Sequence, residues 1–84
     1  MSTLDVVVPG EFWKDVDTGT EALLDAWLVA EGDRIALGQP IANVVLVKAS
    51  YEVAAPAAGV IDKILVRADE TFAAGEPLAT IRTG

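Results

Sequence analysis

The stretch ALLDAWLVAEGDRIALGQPIANV, residues 22–44, returns 37 positions later as GVIDKILVRADETFAAGEPLATI, residues 59–81. Seven of the 23 pairs are identical: Asp25/Asp62, Leu28/Leu65, Val29/Val66, Ala36/Ala73, Gly38/Gly75, Pro40/Pro77 and Ala42/Ala79. Composition alone would give about two. Leu24/Ile61, Trp27/Ile64, Ile35/Phe72, Ile41/Leu78 and Val44/Ile81 keep apolar character, so the repeat carries a burial pattern as well as turn residues. Further out, Leu4–Pro9 matches Tyr51–Pro56 at an offset of 47, which leaves ten extra residues in the first half, between Gly10 and Ala22. Two similar units make up the chain.

Within each unit, runs rich in Val, Ile and Leu (Leu23–Val29, Val60–Val66) alternate with turn chemistry at Gly32-Asp33, Gly38-Gln39-Pro40, Pro56-Ala57-Ala58-Gly59 and Gly75-Glu76-Pro77. Gly supplies positive φ and Pro fixes the following bend. Punctuation every 8 to 12 residues or so belongs to a small all-β sandwich or barrel. Gly19–Leu28 is the best helix candidate, but its repeat partner Pro56–Leu65 opens with a Pro turn and a Gly, and the repeat decides for strand. The expected fold is all-β: two four-stranded antiparallel sheets related by a pseudo-two-fold.

The same repeat locates Lys48. At an offset of 37 it would pair with a position just past Gly84, and at 47 it pairs with Met1. It therefore occupies the junction of the halves, equivalent to the place where the chain ends emerge. Termini normally lie at the surface, so this junction is expected to be an exposed turn. Local chemistry would not reveal it, since Val47-Lys48-Ala49 has no Gly, Asn or Asp and Ile41–Val53 reads as one long strand.

Composition narrows the function. Eighty-four residues make one small domain, 1–84, and 14 of its apolar residues are alanines, so the core is thin. With no Cys and no His, disulfides, zinc-finger-type sites and Cys or His catalysis are absent. Six Lys and Arg against 13 Asp and Glu give a net charge of -7, which repels phosphate backbones and argues against nucleic acid. The N-terminus lacks the basic start and apolar stretch of a secretory signal, and no apolar run approaches the roughly 20 residues of a membrane helix. The chain reads as cytoplasmic, with no membrane association. The acidic clusters Asp15, Asp17, Glu21 and Glu31, Asp33 lack calcium-loop spacing and read as solvated faces, and no metal or catalytic residue is assigned.

Taken in order, Glu31-Gly32-Asp33, Gly38-Gln39-Pro40-Ile41-Ala42, Lys48-Ala49-Ser50-Tyr51-Glu52-Val53-Ala54-Ala55-Pro56, Ala58-Gly59-Val60-Ile61 and Gly75-Glu76-Pro77-Leu78-Ala79-Thr80-Ile81 resemble the lipoyl and biotinyl carrier domain family over nearly the whole chain. The resemblance implies a flattened barrel, or barrel-sandwich hybrid, with a modified lysine at a hairpin tip and the termini at the opposite end. Lys48 matches that lysine, and in the family it is joined by an amide to lipoic acid or biotin. The Ala of Val47-Lys48-Ala49 is shared with the lipoyl pattern Asp-Lys-Ala, whereas biotinyl domains have Met-Lys-Met, so lipoic acid is favoured. The chain departs from the lipoyl pattern at Val45-Leu46-Val47, an apolar approach where acidic residues and a Thr are usual. That departure points to a different modifying enzyme, an apolar docking surface, or loss of modification.

The resemblance implies a carrier with no active site of its own, serving a 2-oxo acid dehydrogenase-type complex as part of an acyltransferase component. Its partners would be a lipoyl ligase or transferase and the subunits of the complex, and the isolated domain would be monomeric. Val47 and Ala49 flank the lysine and are docking candidates. Phe12 and Trp13, in the extra segment that the family places beside the lysine turn, are docking candidates too; the alternative is that they fold back over the barrel end. Two other functions stay open: a biotin carrier for carboxyl transfer, and an unmodified barrel that binds a partner protein. The end at Thr83-Gly84, directly after the last expected strand and without a Pro/Ala-rich linker, suggests a stand-alone protein.

Overall fold

The computed structural model describes residues 2–14, 16–17 and 19–83. Eight strands follow one another: β1 (Ser2–Val6), β2 (Ala22–Trp27), β3 (Arg34–Ile35), β4 (Pro40–Leu46), β5 (Ala49–Ala54), β6 (Gly59–Ile64), β7 (Thr71–Phe72) and β8 (Ala79–Thr83). They form two antiparallel four-stranded sheets, ordered β1-β8-β6-β3 and β5-β4-β2-β7. The expected all-β architecture is the one observed. The offset of 37 carries β2, β3 and β4 onto β6, β7 and β8, and the offset of 47 carries β1 onto β5. One sheet order therefore becomes the other. Each sheet draws strands from both halves, because β3 joins the second-half strands β6 and β8, and β7 joins the first-half strands β2 and β4. Neither half completes a sheet alone.

The symmetry extends to register. Leu4 faces Ile81 and Val6 faces Ala79 across β1–β8, and their equivalents Tyr51/Val44 and Val53/Ala42 face each other across β5–β4. The β2–β4 ladder slips between Leu24 and Ala26, and the β6–β8 ladder slips between Ile61 and Lys63, the matching place. Leu28 N–H donates to Ile41 O at 2.9 Å and Leu65 N–H to Leu78 O at 2.8 Å. In the turns that follow, Asp33 Oδ2 accepts from Ala30 N–H at 2.9 Å and Glu70 Oε1 from Arg67 N–H at 2.6 Å, so a carboxylate braces each turn.

Strand alternation fills the space between the sheets. Val6, Leu24, Ile41, Val44, Val53, Ile61, Phe72, Leu78 and Ile81 are all but completely buried, and among the described residues no polar or charged one is buried with them. Strands β2 and β6 stop at Trp27 and Ile64, two residues short of the runs read from sequence. Beyond that point the chain leaves the ladder, and Trp27 Nε1–H donates to Val66 O at 2.8 Å, tying one half to the other. The pseudo-two-fold exchanges the β4–β5 hairpin with the paired chain ends, where Ser2 faces Thr83, along a molecule 37 Å long and about 20 Å across.

Candidate functional site

The run Ile41–Val53, featureless as sequence, breaks at Val47-Lys48. Leu46 and Ala49 make the last bridged pair of β4 and β5, so Val47 and Lys48 alone form the turn. A two-residue hairpin needs positive φ at its first central position for the turn twist to match the strands. Val47 supplies it, at φ 59°, although it is β-branched and normally excluded from that region. The turn is held by what flanks it: Leu46 is 3% exposed and anchored in the core, Val45 faces Ser50, and Val44 faces Tyr51. Lys48 is exposed at the tip.

Of the apolar triplet before the lysine, only Val47 faces water, at 66% exposure. Leu46 points into the core and Val45 is half-buried, as the period of two along β4 dictates. The apolar approach read from sequence is thus mostly an inward-facing strand edge, and Ala49 is half-buried beside it.

Part of the extra segment of the first half packs against this hairpin, through Phe12 and Val16. Gly10–Trp13 forms a single 3-10 turn, started by Phe12 N–H donating to Pro9 O at 3.0 Å. The Phe12 ring lies flat on Tyr51, centroids 4.5 Å apart and planes 14° apart. Trp13 meets Phe72 edge-on at 6.1 Å. Phe12 and Trp13 are half-buried and pack against the core at the lysine end of the barrel. Among the described residues the opposite end has no such cover: Leu4, the equivalent of Tyr51, is 40% exposed. Tyr51 is the site residue that sequence reading missed, because its partner is 39 positions away in a segment with no copy in the other half. A cleft of about 400 Å³ runs between the extra segment and the hairpin, with Phe12, Val16, Leu46, Val47 and Tyr51 on its walls and Glu11 and Lys48 at its edge.

A primary amine on a four-carbon stem, projecting from a two-residue turn fixed by the core, is geometrically suited to an amide-linked arm: reachable by an enzyme and distant from the body. Among the described residues there is no group of three or more acidic, His or Cys side chains placed to hold a metal, and no helix is long and apolar enough to cross a membrane.

Residues 14–81 match the biotin–lipoyl family model, described as "Biotin-requiring enzyme". The chain is 40% identical over 65 residues to the dihydrolipoyllysine-residue acetyltransferase component of the acetoin cleaving system of Pseudomonas putida; the match takes in 77% of this chain and 18% of that protein. The chain thus spans less than a fifth of the length of that relative. Its fold superimposes on the solution structure of the lipoyl domain of the 2-oxoglutarate dehydrogenase complex from Azotobacter vinelandii, with a TM-score of 0.77 and 23% identity, covering 96% of this chain and 98% of that one. On the family match over residues 14–81, which takes in most of its length, the chain belongs to the biotin–lipoyl family.

Proposed function

We propose that residues 1–84 form a single carrier module whose Lys48 Nζ is joined by an amide to lipoic acid, and that the arm passes acyl groups between active sites of a 2-oxo acid dehydrogenase-type complex. The observation that carries this reading is Lys48 alone at the tip of a two-residue turn braced by buried Leu46. The name of the Pseudomonas putida relative, with its dihydrolipoyllysine, supports lipoic acid over biotin. The bound group supplies a dithiolane able to take up an acyl group and two electrons.

The chain's own residues position and present. Leu46 and Ala49 fix the direction of the hairpin, Phe12 on Tyr51 stiffens strand β5 behind it, and the lysine stem gives reach. Acylation removes the ammonium charge, which would otherwise oppose entry of the arm into apolar partner pockets. Catalysis belongs to the enzymes visited, here the subunits of the complex, and attachment to a lipoyl ligase or transferase. The net charge of -7 steers the module toward basic surfaces and keeps copies apart, consistent with a monomeric module acting in the cytoplasm.

Intact mass after co-expression with lipoyl ligase and lipoic acid tests the reading. The wild-type chain gains one lipoyl increment and Lys48→Arg gains none. A biotin increment with biotin ligase would replace lipoic acid by biotin, and no increment with either ligase would leave an unmodified binding module.

A further inference from the structure

The pseudo-two-fold supplies an internal control for the outer faces of the two sheets. On the sheet that holds β6, Arg34, Val60 and Arg82 stand in one cross-strand row, with Arg34 opposite Val60 and Val60 opposite Arg82. The equivalent row on the other sheet is Thr71, Leu23 and Val45, in the same register. The fold therefore accepts neutral residues at both arginine positions, and packing does not require the charges.

Both arginines are exposed and Val60 between them is half-buried. Together with Ala58 and Gly59 they line a shallow cleft of about 450 Å³. Strands lie about 4.8 Å apart, which puts the two arginine α-carbons about 10 Å apart across Val60. Two of the chain's six cations thus share one row of a protein with 13 acids. The equivalent cleft on the other sheet has the opposite sign: Asp17 and Glu21 line it beside Leu23, Val45 and Thr71. The next row is Asp5, Thr80 and Lys63, and Asp62, unpaired at the ladder slip, accepts a hydrogen bond from Thr80 Oγ1 at 3.5 Å.

We infer that the Arg34–Val60–Arg82 row is a docking surface for an acidic, extended segment of a partner protein, with two carboxylates paired to the two guanidiniums and an apolar contact over Val60. Charge complementarity selects an acidic partner, since a guanidinium fork binds carboxylate in bidentate fashion. The shallowness of the cleft selects a peptide segment, because small-molecule sites enclose most of their ligand. The row lies toward the end of the molecule that holds the paired termini, away from Lys48. A partner held there leaves the lysine turn uncovered, so the module is tethered while its arm stays free. This surface does not depend on the identity of the arm, and it is tested on the unmodified chain.

The probe is a fluorescent Glu-Leu-Glu-Leu-Glu-Leu-Glu peptide, titrated at low salt by anisotropy, with backbone amide shifts recorded in parallel. The expected result is shifts centred on Arg34, Val60 and Arg82, an affinity lowered about tenfold or more in Arg34→Gln/Arg82→Gln, and less than about a twofold change in the control Lys14→Gln/Arg67→Gln, two exposed cations outside this sheet face. Equal weakening in both double variants, or shifts centred elsewhere, would overturn the proposal. All four side chains are exposed, and an unchanged amide spectrum in the absence of peptide verifies that each variant is folded.

Discussion

Asp69 stands where the pseudo-two-fold places Gly32, and both hold a left-handed backbone, at φ 72° and 90°. The two halves thus solve one turn with different residues. In both, the chain donates back into the ladder, Gly32 N–H to Ile61 O at 2.8 Å and Asp69 N–H to Leu24 O at 2.7 Å. Asp tolerates that conformation better than most side chains, and a β-branched residue does not. Gly32→Val is therefore expected to cost about 1–2 kcal/mol. Asp69→Gly should change stability by less than about 0.5 kcal/mol, as relieved strain is offset by added freedom in the unfolded chain. Urea unfolding of the two variants checks the pair.

Val47 carries the same strain without such tolerance, at φ 59° in the turn that presents Lys48. Val47→Gly is expected to raise the unfolding free energy by about 1 kcal/mol, measured by the same unfolding curves. A loss of stability would mean that the Val47 side chain makes contacts that outweigh its backbone strain.

Gly59 and Ala22 are equivalents that are not interchangeable. A Cβ built on Gly59 would collide with the Arg82 carbonyl and sit 2.9 Å from Ile81 Cγ2. Backbone of a neighbouring strand cannot swing aside as a side chain does, so Gly59→Ala should destabilise by about 1–3 kcal/mol. Ala22→Gly removes a buried methyl and should cost about 1 kcal/mol. Thermal unfolding of the two variants compares them.

The flat contact of Phe12 on Tyr51 predicts that the extra segment and the lysine hairpin loosen together. Phe12→Ala removes a half-buried ring and its stack on Tyr51, at an expected cost of about 2 kcal/mol. Hydrogen exchange should quicken at residues 10–13 and along β5, while β1 and β8 at the other end stay as protected as before. Uniform loss of protection would contradict a local role.

Most of the architecture was legible because the repeat acts as a second reading of every strand. Lys48 was found by symmetry: its turn has no turn residue, and only its equivalence with the chain ends broke the run Ile41–Val53. What stayed hidden was long-range or conformational. Nothing in the residues around Leu24 or Ile61 marks the two ladder slips, and Val47 gives no sign in sequence that it adopts positive φ. The Phe12–Tyr51 stack joins a segment that has no copy to a strand that has one, so periodicity had nothing to say about it. The direction of Leu46 was open to the alternation rule, but only once the turn had been placed between Val47 and Lys48.

Peptide-level mass spectrometry of the chain co-expressed with lipoyl ligase puts the central assignment to its most direct test, because the chain has three lysines and only one at the junction of its halves. The account expects the lipoyl group on the peptide containing Lys48, with Lys14 and Lys63 unmodified. A lipoyl group on Lys14 or Lys63, or none on Lys48 under conditions that load a control lipoyl domain, would contradict it.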